Sequence, residues 1–191
     1  MPRRLYLARH GETAWNAIYR LQGATDIPLN DHGREQGRAL AASLASCAIE
    51  EVITSDLSRA HETGVIVARE LGLAPPRIVP ALRERAFGVF EGLTRDQCKV
   101  KYPEAWQRWH DQSGVPEGAE PLGAATQRMH DVLRDLADEA GGPVAVISHG
   151  GVIRLWLVDV HGQRVAAPGN GATYVCDRDS RGWAARPHRD D

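Results

Sequence analysis

A chain of 191 residues, 42% hydrophobic and 25% charged, has the size and composition of one globular domain with a substantial core. Its formal net charge of -2 gives no basic balance toward nucleic acid or an anionic membrane, and no stretch is long and apolar enough to span a bilayer. Cys47, Cys98 and Cys176 are far apart and lack a metal-type spacing, which fits reduced thiols and a cytoplasmic location. Pro2-Arg3-Arg4 opens like a signal peptide, but Arg9 and His10 cut the apolar run short and no small-residue cleavage site follows.

Leu5-Tyr6-Leu7-Ala8 ends abruptly in Arg9-His10-Gly11-Glu12-Thr13, which reads as a buried strand followed by a turn. Gly11 lets the chain turn sharply and bring its backbone to a ligand, and Thr13 caps a short helix through Ala14, Trp15 and Asn16. From Tyr19 to Leu29, polar residues with Gly23 and Pro28 mark an ordered loop beside the first strand's end. Asn30 or Asp31 starts a helix in which Gln36, Gly37, Leu40, Ala41, Leu44 and Ala48 recur on one apolar face. Residues 51–55 form the second strand. Asp56-Leu57-Ser58-Arg59-Ala60 opens the next helix at once, and Val65, Ala68 and Arg69 carry it to a stop at Gly72. Arg77-Ile78-Val79-Pro80 is a short strand that its prolines place at an edge.

The stretch from Leu82 to Leu93 has no regular period and is rich in charge and aromatics. Thr94 caps a helix through Tyr102, and Pro103 begins another that contains Trp106 and Trp109. A Gly- and Pro-rich connection from Ser113 to Pro121 leads to the clearest helix, where Met129, Val132, Leu133, Leu136, Ala137 and Ala140 share one face. Pro143-Val144-Ala145-Val146-Ile147-Ser148 is the most convincing buried strand, and it ends in His149-Gly150-Gly151. A helix through Leu157 follows, then a closing hairpin over residues 172–177 and 183–186. Strands alternating with helices give an α/β fold with a mostly parallel sheet covered on both faces, to which the hairpin adds antiparallel edge strands.

Chemistry collects at three strand ends: Arg9-His10, Arg59 at a helix start, and Ser148-His149. In a parallel sheet these ends share one edge, where α/β sheets bind ligands. Two arginines and two histidines suit a phosphoryl group, with one histidine attacking in line and the others holding the equatorial oxygens. No aspartates cluster at strand ends to hold a magnesium ion, and arginines with a protonated histidine serve in its place. Neighbouring arginines favour a neutral imidazole, the form with a free ring nitrogen. Glu84, in the irregular charged loop, is the best candidate to protonate the leaving oxygen, since a phosphate dianion beside it favours the acid form.

These residues are similar to a known set. Arg9-His10-Gly11-Glu12-Thr13 with Trp15-Asn16 resembles the signature of the histidine phosphatase superfamily, in its branch 1, the phosphoglycerate mutase-like family. The match continues in the family's order through Arg20-x-Gln22-Gly23, Asp26-x-Pro28-Leu29, Gly33-x-x-Gln36 and Ser55-x-Leu57-x-Arg59-Ala60. It goes on through Leu82-Arg83-Glu84, Phe87-Gly88, Glu91-Gly92-Leu93 and Ser148-His149-Gly150-Gly151. Any one motif is weak, and the ordered set is specific. The resemblance implies a single three-layer α/β/α sandwich domain over residues 1–191, with no required metal or other cofactor. It implies that His10 is the phosphorylated nucleophile and Glu84 the proton donor. It implies that Arg9, Arg59 and His149 bind the phosphoryl group with help from Asn16, while Gln22, Gly23 and Gly150 lie in segments that contact substrate. Pro121, Gly64 and Phe90 depart from the family's usual serine, alanine and tryptophan, outside the phosphate pocket.

His32, His61, His110, His130, His161 and His188 match no motif and read as solvated or packing histidines. Trp106 and Trp109 read as part of a cap over the site or of the core, and Arg189-Asp190-Asp191 as a frayed tail. Three functions compete: a metal-independent phosphatase for a small phosphorylated metabolite, a cofactor-dependent phosphoglycerate mutase using the same phosphohistidine, and a non-catalytic member that binds a phospho-ligand or protein. The full set of catalytic residue types weakens the third. The stretch from Gly92 to Pro121 is short and carries only Arg95, Lys99, Lys101 and Arg108 as basic residues, several expected on helix surfaces, which favours hydrolysis over transfer. The partners expected are a small phosphorylated metabolite and neither nucleic acid nor membrane, with monomer or homodimer left open.

Overall fold

The structure is a computed structural model that describes residues 3–188; the expected tail at 189–191 lies outside the described residues. Six strands form one sheet in the order β3-β2-β4-β1-β5-β6. The continuous apolar runs become its centre. Strand β1 (Leu5–Arg9) pairs in parallel with β4 (Val144–Ser148), from Leu5 opposite Val144 to Arg9 opposite Ser148. On β4's other side lies β2 (Glu51–Thr54), also parallel, and then the two-residue edge strand β3 (Arg77–Ile78). Across β1 runs the hairpin β5 (Thr173–Asp179) and β6 (Gly182–Pro187), antiparallel. Of the hairpin's two strands only β6 lies at an edge, because β5 is sandwiched between β1 and β6.

Successive side chains of a strand point to opposite faces, and each face here has its own core. Leu5, Leu7, Val144 and Val146 pack with Met129, Leu133, Ile153 and Trp156 from α6 (Leu122–Asp138) and α7 (Gly150–His161). Tyr6, Ala8, Ala145 and Ile147 pack with Leu40, Leu44 and Val67 from α2 (Asp31–Leu44) and α3 (Ser58–Glu70). The result is three layers, helices on a mostly parallel sheet on helices. Burial on both faces is why β1 and β4 read as unbroken apolar runs rather than alternating ones.

Thr13 caps α1 (Ala14–Ala17) and Thr94 caps α4 (Arg95–Lys101), each in a reciprocal pair with the residue three positions on, Asn16 and Gln97. Asn30 caps α2 through Gly33 N–H. That helix stops earlier than its apolar spacing suggests. It ends at Leu44, and Ala48 lies outside it, exposed and at φ 50°, so Ile49 supplies the buried contact instead. Gly11 also differs from the sequence reading. It has no positive φ; a Cβ there would lie 2.2 Å from Gly33 O, so glycine is needed for close packing of the first turn on α2.

The irregular stretch folds as two 3-10 turns, Pro80–Leu82 and Gly88–Phe90. Phe90 is fully buried against Tyr102, Trp106 and Trp109, with ring centroids 6.1, 5.9 and 5.3 Å away. This cluster fastens α4 and α5 (Pro103–His110) to the body of the molecule. Removing a fully buried phenyl ring leaves a cavity that such a cluster cannot close. Phe90→Ala is therefore expected to destabilise the fold by about 3–5 kcal/mol, read as a lowered midpoint in urea with an unchanged slope.

Candidate active site

Because Arg9 lies opposite Ser148, the next residues of β1 and β4, His10 and His149, emerge side by side. Both are buried, and their ring centroids are 5.1 Å apart. Their neighbours fix which nitrogen of each ring carries the proton. His10 Nδ1 is 2.6 Å from the Gly11 carbonyl oxygen, which can only accept. The proton therefore sits on Nδ1, and the neutral ring presents a lone pair at Nε2. His149 Nδ1 is 3.2 Å from Arg59 Nε, which can only donate. Its neutral ring therefore carries the proton on Nε2, and that buried nitrogen has no hydrogen-bond partner among the described residues. One imidazole offers a lone pair and the other a donor.

Arg59 comes from the first turn of α3 and is 1% exposed. Besides His149, its guanidinium donates to the carbonyls of Gly23 at 2.8 Å and Thr25 at 2.9 Å, so no carboxylate neutralises it directly. The loop that supplies these carbonyls is held in turn by Glu91. Its carboxylate accepts from the N–H groups of Ala24, Thr25 and Phe87 and from the Thr25 hydroxyl. Gly23 (φ 56°) thus enters the site by placing Arg59, and a Cβ there would strike Glu91 Oε1 at 2.2 Å.

Arg9 donates to the Pro168 carbonyl through Nη1 at 2.8 Å, and its buried Nε has no partner among the described residues. Asn16 accepts through Oδ1 from Thr13 and from Asn170, which leaves its NH2 group for a ligand. Gln22 is buried with Oε1 unpartnered. Glu84 sits against the start of α7, where its carboxylate accepts from Gly151 and Val152 N–H, and Gly150 opens that helix beside Arg9. Asn170 and Pro168 were not among the expected site residues. Asn170 donates to the His10 carbonyl at 3.0 Å and so braces the turn after β1. The stretch Ala167-Pro168-Gly169-Asn170-Gly171 carries only turn signals, and nothing in its spacing points to the site.

Burial, reinforced by the charges of Arg59 and Arg9, holds His10 well below the usual imidazole range. Burial and then Arg59 do the same for His149. The same surroundings favour the neutral form of both rings, beside the buried guanidinium of Arg59 and the partly buried one of Arg9. Among the described residues, no three or more His, Cys, Asp or Glu side chains are grouped to hold a metal ion, and no helix is long and apolar enough to cross a membrane. A cleft of about 710 Å³ opens above Arg9 and Asn16, with Arg20, Arg95 and Lys99 on its rim. A second lobe of about 310 Å³ shares Leu21 and Arg95 with it and is walled by Phe87, Trp106, Trp109 and Arg154. Of the four basic residues between Gly92 and Pro121, Arg95 and Lys99 thus line the cleft, while Lys101 and Arg108 are exposed and line neither lobe. A larger groove of about 1010 Å³, bounded by Arg4, Tyr6, Ser43, Cys47 and His188, lies on the α2 face away from the paired histidines.

The family model of the histidine phosphatase superfamily (branch 1) matches residues 5–191. The chain belongs to this superfamily. This member is 36% identical over 155 residues to phosphoglycerate mutase-like protein 4 of Arabidopsis thaliana, covering 78% of this chain and 67% of the relative. It is 35% identical over 158 residues to the metal-independent phosphoserine phosphatase of the same plant (78% and 65% covered). It is 34% identical over 161 residues to the glucosyl-3-phosphoglycerate phosphatase of Mycobacterium tuberculosis (79% and 72% covered). The chain spans about two thirds of the length of these relatives. Its fold matches the solved mycobacterial glucosyl-3-phosphoglycerate phosphatase complexed with VO3 at a TM-score of 0.83, with 28% identity and 98% of each chain covered.

A dianion placed between two neutral imidazoles raises their proton affinity. The superfamily member described here should therefore take up protons when it binds tungstate, a dianion with no proton of its own near neutrality. Uptake should fade as pH rises, because the rings of the complex then lose the proton they gained. Calorimetric titration in two buffers of different ionisation enthalpy reads it directly. Equal heats in both buffers would show that the rings stay neutral.

Proposed function

We propose that this chain is a phosphatase that hydrolyses a small phosphomonoester through a phosphohistidine on His10, with Glu84 as proton donor. The observation that carries the reading is the complementary pair of imidazoles: a lone pair at His10 Nε2 beside an unpartnered donor at His149 Nε2. The orphaned Arg9 Nε adds a second buried donor. Leaving such groups unsatisfied is costly, and the oxygens of a phosphoryl group satisfy them.

In the first step His10 Nε2 forms a bond to phosphorus as the ester P–O bond breaks. The electron pair leaves on the ester oxygen, which takes a proton from Glu84. In the second step water attacks phosphorus and gives its proton to Glu84. The N–P bond then breaks, its electrons return to His10, and phosphate is released. Arg9, Arg59 and the His149 N–H hold the non-bridging oxygens throughout, so their preorganised charge does most of the catalysis. The names of the relatives support a small phosphorylated metabolite as substrate. Among the described residues the Arg20 guanidinium donates to the Gly92 carbonyl and to no carboxylate, and Arg95 has no carboxylate partner. Both favour a leaving group that carries a negative charge of its own.

Several relatives bear the name probable phosphoglycerate mutase, and the clefts here bear on that alternative. The cover made by α4 and α5 leaves lobes of about 710 and 310 Å³ open, so water reaches the phosphohistidine. With a monophosphoglycerate and catalytic bisphosphate, free phosphate should appear faster than the isomer. His10→Ala should lower phosphate release by more than about 10³-fold and abolish an acid-labile phosphoenzyme label. Isomer formation far ahead of phosphate release would install the mutase reading, and His10→Ala activity within tenfold of the parent would remove the nucleophile. Activity should also be unchanged by a chelator, because Arg9 and Arg59 carry the charge a metal would supply. Loss restored by added magnesium would contradict this.

A further inference from the structure

Helix α7 opens with two consecutive glycines, Gly150 and Gly151, immediately after His149. Neither has a positive φ, so backbone conformation does not demand glycine, and alanine is the better helix former. Their surroundings supply the reason. A Cβ on Gly150 would lie 3.1 Å from Arg9 Cδ and Nε. A Cβ on Gly151 would lie 2.5 Å from Glu84 Oε1 and 2.9 Å from Oε2. The Glu84 carboxylate occupies the space that a side chain at 151 would fill.

The same residue also binds that carboxylate. Glu84 Oε1 accepts from Arg85 N–H at 2.8 Å and from Val152 N–H at 3.0 Å. Among the described residues Oε2 accepts only from Gly151 N–H, at 2.8 Å. A carboxylate oxygen offers about two acceptor positions. Both are filled on Oε1, so the oxygen with room for a transferable proton is Oε2. The one hydrogen bond that fixes Oε2 comes from Gly151.

We infer that Gly151 is a positioning residue for proton transfer, placing Glu84 Oε2 through its missing side chain and its N–H together. This rests on the roles of His10 and Glu84 proposed above. As the ester P–O bond breaks, the leaving oxygen takes the proton from Oε2, and the electrons of that O–H bond remain on Glu84 as carboxylate charge. The first N–H groups of α7 then stabilise that charge. A methyl group at 151 meets the far end of a flexible side chain, so it should move the carboxylate and leave the helix standing.

The test uses Gly151→Ala, Glu84→Ala and the double variant, with circular dichroism to confirm folding. Each is assayed on nitrophenyl phosphate, whose leaving oxygen is stable as an anion, and on glycerol 2-phosphate, whose leaving oxygen needs a proton. Gly151→Ala should lose about 10²-fold in kcat/KM on the glycerol ester and less than about threefold on the nitrophenyl ester. It should cost nothing further once the Glu84 carboxylate is gone. Gly150→Ala, which crowds Arg9, should instead weaken tungstate binding and affect both esters alike. Equal losses of Gly151→Ala on the two esters, or the same loss without the carboxylate, would overturn the inference while the phosphatase reading stands. If Gly151→Ala fails to fold, Glu84→Asp in the same chain draws the carboxylate back by one methylene and should restore folding; failure to do so would also overturn it. A parent protein that hydrolyses neither ester would instead overturn the phosphatase reading.

Discussion

The hydrogen bond between Arg59 Nε and His149 Nδ1 is the constraint on which the site depends. It puts a cation against a neutral ring and forces that ring's proton onto the nitrogen that has no protein partner. With the Gly11 carbonyl doing the opposite to His10, two chemically identical side chains become an acceptor and a donor. Nothing in the imidazoles themselves makes that difference. It comes from the parallel register of β1 and β4, which sets the rings 5.1 Å apart, and from the start of α3, which delivers Arg59 between them and the Gly23–Thr25 carbonyls.

Such a site costs stability. Each buried donor left without a partner costs about 1–3 kcal/mol, and a buried guanidinium paired with carbonyls keeps its charge against desolvation. The two apolar layers on either side of the sheet offset this, which is why the central strands are apolar on both faces. Glu91 has the same logic at one remove. It sits among four donors of the Ala24–Thr25 and Phe87 backbones and hydroxyl, and so keeps the loop under Arg59 from relaxing. Gly64 shows how tightly the scaffold closes, since a Cβ there would lie 2.2 Å from Thr54 Cγ2, at the end of β2. The family's usual alanine has no room at this position.

The fold was legible where physics is local. Continuous apolar runs mark β1 and β4, and Thr13, Asn30 and Thr94 announce their helices by capping chemistry. The convergence of Arg9, His10, Arg59 and His149 was legible because strand ends of a parallel sheet share an edge. The rest depends on contacts far apart in sequence. Glu84 meets Gly151 across 67 residues, Arg59 meets His149 across 90, and Asn170 reaches His10 across 160. No periodicity encodes these, and so neither the tautomers nor the bracing by Asn170 could be read beforehand. The end of α2 was misread for a related reason: Ala48 keeps helical spacing with Leu44, but the chain turns left-handed there to bring Ile49 into the core.

The site divides into two parts with different supports. The end proposed to hold the phosphoryl group is made of strand termini and helix starts, buried and tied to the two cores. The cleft proposed to take the leaving group is made of α4, α5 and the Leu21 loop, held on through Phe90 and its aromatic neighbours. Contacts that bridge the parts include Glu91 to the Gly23–Thr25 loop and Arg20 to the Gly92 carbonyl. On the proposed function, changes in the cover alter which ester is accepted without disturbing the opposed imidazoles. Conversely, any change that shifts β1 against β4 moves both rings at once, so the chemistry is tied to the sheet register while the choice of substrate is tied to a separable surface element.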